Sequence, residues 1–185
     1  MSFNSDGFMD ADEALRFLDL LAEDSGSDYH MMIENKGKKL QGESNRVFGD
    51  NMEMLDIGGY FYVAGVLSSP GSTKGVLRAQ PFCVIRDCDA ATASIASLLN
   101  SQDADLVVNV LVFKAGGDSS QDQQPFIQIE LTGARVSWHA IVTGGRPKRP
   151  CEIIVFYFRT AEIKSAPQVE IGLRGAVRTA KLTMA

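Results

Sequence analysis

Between Pro125 and Thr160 the sequence alternates apolar and polar residues, and midway the alternation changes phase by one residue. Ile127, Ile129 and Leu131 alternate with Gln128 and Glu130. After Thr132-Gly133 it is Ala134, Val136, Trp138, Ala140 and Val142 that alternate with Arg135, Ser137 and His139. Period two marks a β-strand with one buried face. A slip of one residue turns the apolar set to the wrong face unless an extra residue absorbs it, so a β-bulge or sharp bend is predicted at Thr132-Gly133. A Gly/Pro/basic turn then leads to Ile153-Ile154-Val155-Phe156-Tyr157-Phe158, which does not alternate. A strand apolar on both faces is packed on both sides. Ile154, Phe156 and Phe158 are expected on one face, and Ile153, Val155 and Tyr157 on the other. Few helical stretches are on hand to cover the outer face, so a neighbouring subunit is the expected cover. Ile153, Val155 and Tyr157 are therefore subunit-interface candidates, joined by Arg146 and Lys148 of the basic turn.

The chain is long enough, at 185 residues, for one domain with a sizeable core. Its net charge of −5 argues against nucleic acid as the main partner, because phosphate binding needs a basic surface. No apolar run approaches the roughly 20 residues that span a bilayer, so no membrane insertion is expected. The acidic N-terminus does not read as a cleaved signal peptide. Cys83, Cys88 and Cys151 give neither a disulfide framework nor metal-ligand spacing, so no metal or cofactor is expected and the cytoplasm is the expected place of synthesis. Cys83 and Cys151 sit in strand-like stretches, as small core residues do.

Taken in order, Asp10 to Glu23 reads as an amphipathic helix with Asp10 as N-cap and Ala14, Leu18, Leu21 and Ala22 on one stripe. Residues 1–28 are thus an N-terminal extension with a short helix, and 29–185 the main domain. Strands are expected at Tyr29–Glu34, Asn51–Ile57, Tyr60–Leu67, Val76–Arg86 and Asp105–Lys114, with a break or bend at Gly58-Gly59 and an edge or bulge at Pro81. Asp87 to Asn100 reads as a second helix, capped by Asp89, with Thr92, Ile95, Leu98 and Leu99 on a narrow apolar stripe. Further strands are expected at Val169–Leu173 and Val177–Leu182. Eight or nine strands, two helices and no α/β alternation favour a mainly β antiparallel barrel or sandwich.

In this order the pieces resemble a known family. They are Gly42-Glu43-Ser44, the Asp-capped helix after Arg86-Asp87-Cys88-Asp89, Phe113-Lys114-Ala115-Gly116-Gly117, Pro125-Phe126-Ile127-Gln128-Ile129-Glu130-Leu131, and Pro150-Cys151-Glu152-Ile153-Ile154-Val155-Phe156-Tyr157-Phe158. Over roughly residues 29–165 the chain is similar to the Hcp (haemolysin-coregulated) family, the tube protein of the type VI secretion system. The resemblance implies a β-barrel of two sheets with one side helix. It also implies hexameric rings that stack into a tube, a lumen for small effectors, and sheath, spike or effector proteins as partners. The protein would be cytoplasmic before firing and then secreted through the apparatus. The helix at 10–23 and the part after Ala166 depart from the family pattern.

Chemistry-bearing motifs are weak. His30 and His139 are the only histidines, and with the cysteines they offer a Cys/His pair for nucleophilic catalysis that no flanking motif supports, so no enzyme is expected. Gly71-Ser72-Thr73-Lys74-Gly75 has phosphate-loop letters in the wrong order and reads as a surface loop. Met31, Met32, Met52 and Met54 read as core, or else as a flexible lumen patch. Three classes follow: a ring- or tube-forming structural protein, a monomeric β-barrel that binds a small ligand, and an enzyme or inhibitor with an unrecognised site.

Overall fold

A computed structural model describes residues 27–44, 54–67, 74–114, 124–143, 149–166 and 176–184, together with Arg16, which is helical and exposed. The rest of the helix expected at 10–23 lies outside the described residues, as do Met52 and the strand expected at 169–173. The strands are β1 (Ser27–Asn35), β2 (Lys38–Lys39), β3 (Leu55–Asp56), β4 (Gly59–Phe61), β5 (Ala64–Leu67), β6 (Val76–Ala79), β7 (Phe82–Asp87), β8 (Leu106–Lys114), β9 (Ile127–Val142), β10 (Cys151–Tyr157), β11 (Thr160–Ser165) and β12 (Arg178–Thr183). A helix, α1 (Thr92–Ser101), lies between β7 and β8. Every pairing among the described residues is antiparallel.

The long strand β9 belongs to two sheets. Its first half pairs with β8 and β11, and its second half with β10. The change falls at Gly133, whose φ is +59°. Leu106 faces Ala134 while Val108 faces Leu131, so β9 carries one residue more than β8 at this point. Two residues opposite one, with glycine left-handed, make a β-bulge. It absorbs the phase slip: Ile129 and Leu131 before it, and Ala134 and Val136 after it, all face the same core. A second bulge follows at Ser137, between Val136, which faces Phe156, and Trp138, which faces Val155.

The opposite seam is bridged by the chain between β3 and β4. β3 pairs with β1 of the first sheet, and β4 with β7 of the second. Between them the Ile57 amide donates to the Tyr29 carbonyl and the Gly58 amide to the Ile85 carbonyl. The circuit β3, β1, β8, β9, β10, β7, β4 therefore returns to itself through the bend predicted at Gly58-Gly59. Inside it lie Met31, Ile33, Leu55, Val84, Val108, Val110, Leu131, Val136, Ile154 and Phe156. The helix packs on β9 and adds Ile95 and Leu98 to the same core.

The helix begins later than the sequence suggests. Asp89 caps a turn ahead of it, its carboxylate accepting from the Ala91 amide at 2.8 Å, while the Thr92 hydroxyl accepts from the Asp89 amide at 3.1 Å. This reciprocal arrangement satisfies amides that have no intrahelical partner. β11 was not expected from sequence; it pairs with the first half of β9, and β12 pairs with β11. The stretch 76–86 divides into β6 and β7 at Gln80-Pro81, as the missing proline donor requires. β5 and β6 form a separate two-stranded ribbon.

Candidate functional site

The two faces of β10 divide as the sequence predicts. Ile154 and Phe156 enter the barrel core, with Phe158 packed against it. Ile153 and Val155 point the other way, into a second cluster with Cys83, Ile85 and Cys151, flanked by Phe61, Trp138 and Val142. Their cover differs from the expectation. Ile153 is 0% and Val155 1% exposed within the single chain. Neither side chain has surface left for a neighbour, because folding of one copy already removes it from water. Tyr157, by contrast, is 46% exposed, and the Arg135 guanidinium lies 5.5 Å from its ring centre. Arg146 and Lys148 lie outside the described residues.

Glu152 is the polar residue that β10 carries inward, and it is fully buried. Its register partner on β7 is Arg86, also buried. Arg86 Nη1 lies 3.1 Å from Glu152 Oε1, close enough to neutralise charge but without hydrogen-bond alignment. Arg86 Nη2 meets the Asp89 carboxylate, and His139 Nε2 lies 2.7 Å from Glu152 Oε2. A buried charge is tolerated only with such partners. The cluster ties β7, β9, β10 and the turn before α1 to one another at the end of the barrel.

Above Arg86 a hollow of about 360 Å³ opens, bordered by Glu43, Asp56, Asp87, Asp89 and Arg149. The side chain of Arg149 is taken by Asp87, 2.7 Å away. Asp56 is held below the usual carboxylate range, chiefly by His30, whose Nδ1 lies 2.8 Å away, and also by the Ser44 hydroxyl, which donates at 2.6 Å. Glu43 accepts from the Ala90 amide. Four carboxylates border the space against two guanidinium groups, so its charge balance is negative.

The Cys/His pairing considered from sequence does not form. The side-chain partners of His30 and His139 here are carboxylates. Burial pushes the Cys83 thiol up to about 12 and, with Asp87 beside it, the Cys151 thiol to about 11; burial also raises Cys88. A nucleophilic cysteine needs the thiolate, and these surroundings suppress it. Met31, Met32 and Met54 are core residues, as expected. Sequence reading missed the Arg86–Glu152–His139 cluster; a lone acid in an apolar strand was the available signal.

No family model matches the chain, and a search of curated protein sequences finds no match. Solved structures do match. A structure described as a type six secretion system protein is 20% identical, with a TM-score of 0.66 over 84% of this chain and 95% of its own. Hcp1 from Salmonella typhimurium is 12% identical, with a TM-score of 0.62 over 85% of this chain and 95% of its own. The secreted protein Hcp3 from Pseudomonas aeruginosa is 13% identical, with a TM-score of 0.60 over 86% of this chain and 99% of its own. At these identities the likeness is one of fold. The chain has the Hcp fold, as its sequence pieces suggested.

Proposed function

We propose that this chain is a structural tube component of a type VI secretion system. In this reading it forms hexameric rings that stack and can carry small effectors in the lumen. The observation that carries it is the fold: nearly the whole length of several type VI secretion proteins superposes on most of this chain. Head-to-tail rings need two different complementary surfaces on each copy. Tyr157, with Arg135 stacked on it, supplies an exposed aromatic–cation patch of the kind enriched at interfaces. Arg146 and Lys148 are the further contact residues of this reading, and residues 1–28 its N-terminal extension. Sheath, spike and effector proteins are the partners, and export occurs through the apparatus from the cytoplasm.

Native mass measurement across a concentration series tests the assembly. A particle of six times the 20.1 kDa chain mass is the expected result. Release into the medium only from cells with an intact contractile apparatus is the expected cellular result. A lone chain at every concentration, or release independent of the apparatus, overturns the reading.

A further inference from the structure

Cys83, Ile85, Ile153 and Val155 form the centre of the second sheet's outer face, and each is between 0% and 3% exposed. Side chains stand roughly perpendicular to a sheet, so neighbours on one face screen each other sideways and leave their outer ends open. Burial this complete requires something lying over the sheet. Yet every apolar residue of this cluster, its flanks included, belongs to β4, β7, β9 or β10 itself. Among the described residues no other element supplies the cover: α1 sends Ile95 and Leu98 into the barrel core instead. The outer face of the first sheet differs, because Met54, from the chain ahead of β3, joins Met32, Leu111 and Phe113 there.

The remaining chain offers few candidates. Residues 68–73, 115–123 and 144–148 hold no valine, leucine, isoleucine, methionine or aromatic residue. Residues 45–53 run between Ser44, whose hydroxyl donates to Asp56 of β3, and Met54, so both ends are held on the first sheet. Residues 167–175 join β11 to β12, two strands of that same sheet. The N-terminal stretch carries what the others lack, an amphipathic pattern. Ala14, Leu18 and Leu21 recur at i, i+4 and i+7, and so do Asp12, Arg16 and Asp19, continued by Glu23. Arg16 stands about 200° around a helix from both Ala14 and Leu18, on the polar side. It is helical and exposed, as that place requires.

We infer that residues 10–23 lie as a helix across the outer face of the second sheet of their own copy, with Leu18 and Leu21 inward. The start of β1 supports the route. The Tyr29 carbonyl accepts from the Ile57 amide, and the next amide, that of Gly58, donates to Ile85, so the chain enters β1 beside this sheet. A helix of about 14 residues is about 21 Å long, and four strands about 4.8 Å apart span about 14 Å, so one helix reaches from β4 to β9. The inference concerns a single copy and holds whether or not copies assemble.

Hydrogen exchange on the whole chain, at a concentration where native mass shows single copies, tests it without a substitution. An isolated helix of this length is marginal in water, so slow exchange of the amides of residues 14–22 requires docking. Slow exchange is the expected result. Complete exchange at the first time point overturns the inference, and so does protection that vanishes on dilution, which assigns the helix to a neighbouring copy. A second measurement locates the face. Leu18→Asp with Leu21→Asp is expected to open Cys83 to alkylation by N-ethylmaleimide, read by peptide mass mapping. It is also expected to shift the emission of Trp138, the single tryptophan of the chain, to longer wavelength, whereas Arg16→Glu does neither. Circular dichroism confirms the strands of each variant, and Leu18→Ala with Leu21→Ala takes the place of the aspartates if they prevent folding. A folded double variant whose Cys83 stays as closed as in the wild type overturns the inference.

Discussion

Glu152 stands between Cys151 and Ile153 on a strand otherwise made of apolar residues, and no solvent reaches it. Moving a carboxylate from water into such a place costs several kcal/mol unless cations and donors replace the lost hydration. Arg86 and His139 provide that replacement from neighbouring strands. Removing Glu152 leaves the buried Arg86 guanidinium with one carboxylate fewer beside it. Glu152→Ala is expected to lower unfolding free energy by about 3–5 kcal/mol. The double variant Arg86→Met with Glu152→Leu removes both charges and fills the space, so it is expected to lose less than the single one. Urea unfolding of both at pH 7 checks the order. A double variant as unstable as the single would mean that the cost is set by something other than the Arg86–Glu152 pair itself, the Asp89 carboxylate left without Arg86 being one such source.

At the level of elements, Gly133 turns β9 from one sheet to the other, and its φ of +59° is a conformation that a Cβ disfavours. A Cβ there would also meet the Arg159 side chain at 3.0 Å. Gly133→Ala is expected to cost about 1–3 kcal/mol, the usual range for a strained backbone position. An unchanged denaturation midpoint would show that the bend does not need the left-handed residue. This corner was legible in sequence because a period-two pattern cannot change phase silently. The bend at Gly58-Gly59 was legible through the glycines. β11 was not, since only Ala161 and Ile163 mark its inner face and polar residues surround them. The helix cap was legible at Asp89, but the extra turn before Thr92 was not, because an aspartate offers the same letter to either geometry. The Arg86–Glu152–His139 cluster joins residues 66 and 13 positions from Glu152, a distance over which local patterning carries no information.

For the whole molecule the question is what covers the second face of β10. Its sequence pattern demands a cover but is silent on whether one chain or two provide it. Within a single copy Val155 is 1% exposed, which makes its face part of the protomer's interior. Tyr157, on the same side of the strand and two residues on, remains open to solvent. The two positions therefore separate folding from assembly. Val155→Asp places a carboxylate in an apolar cluster, and the penalty of several kcal/mol is comparable with the 5–15 kcal/mol margin of an ordinary domain. Loss of the folded chain is the expected outcome, seen as insolubility or absent β-sheet dichroism. Tyr157→Ala removes an exposed ring and its stacking with Arg135, so the fold is expected to persist while the proposed assembly becomes less stable to dilution. A Val155→Asp chain that stays folded and soluble as a monomer would reverse this division: the face would then be closed by a neighbouring copy, and the cover inside one chain would be dispensable for folding.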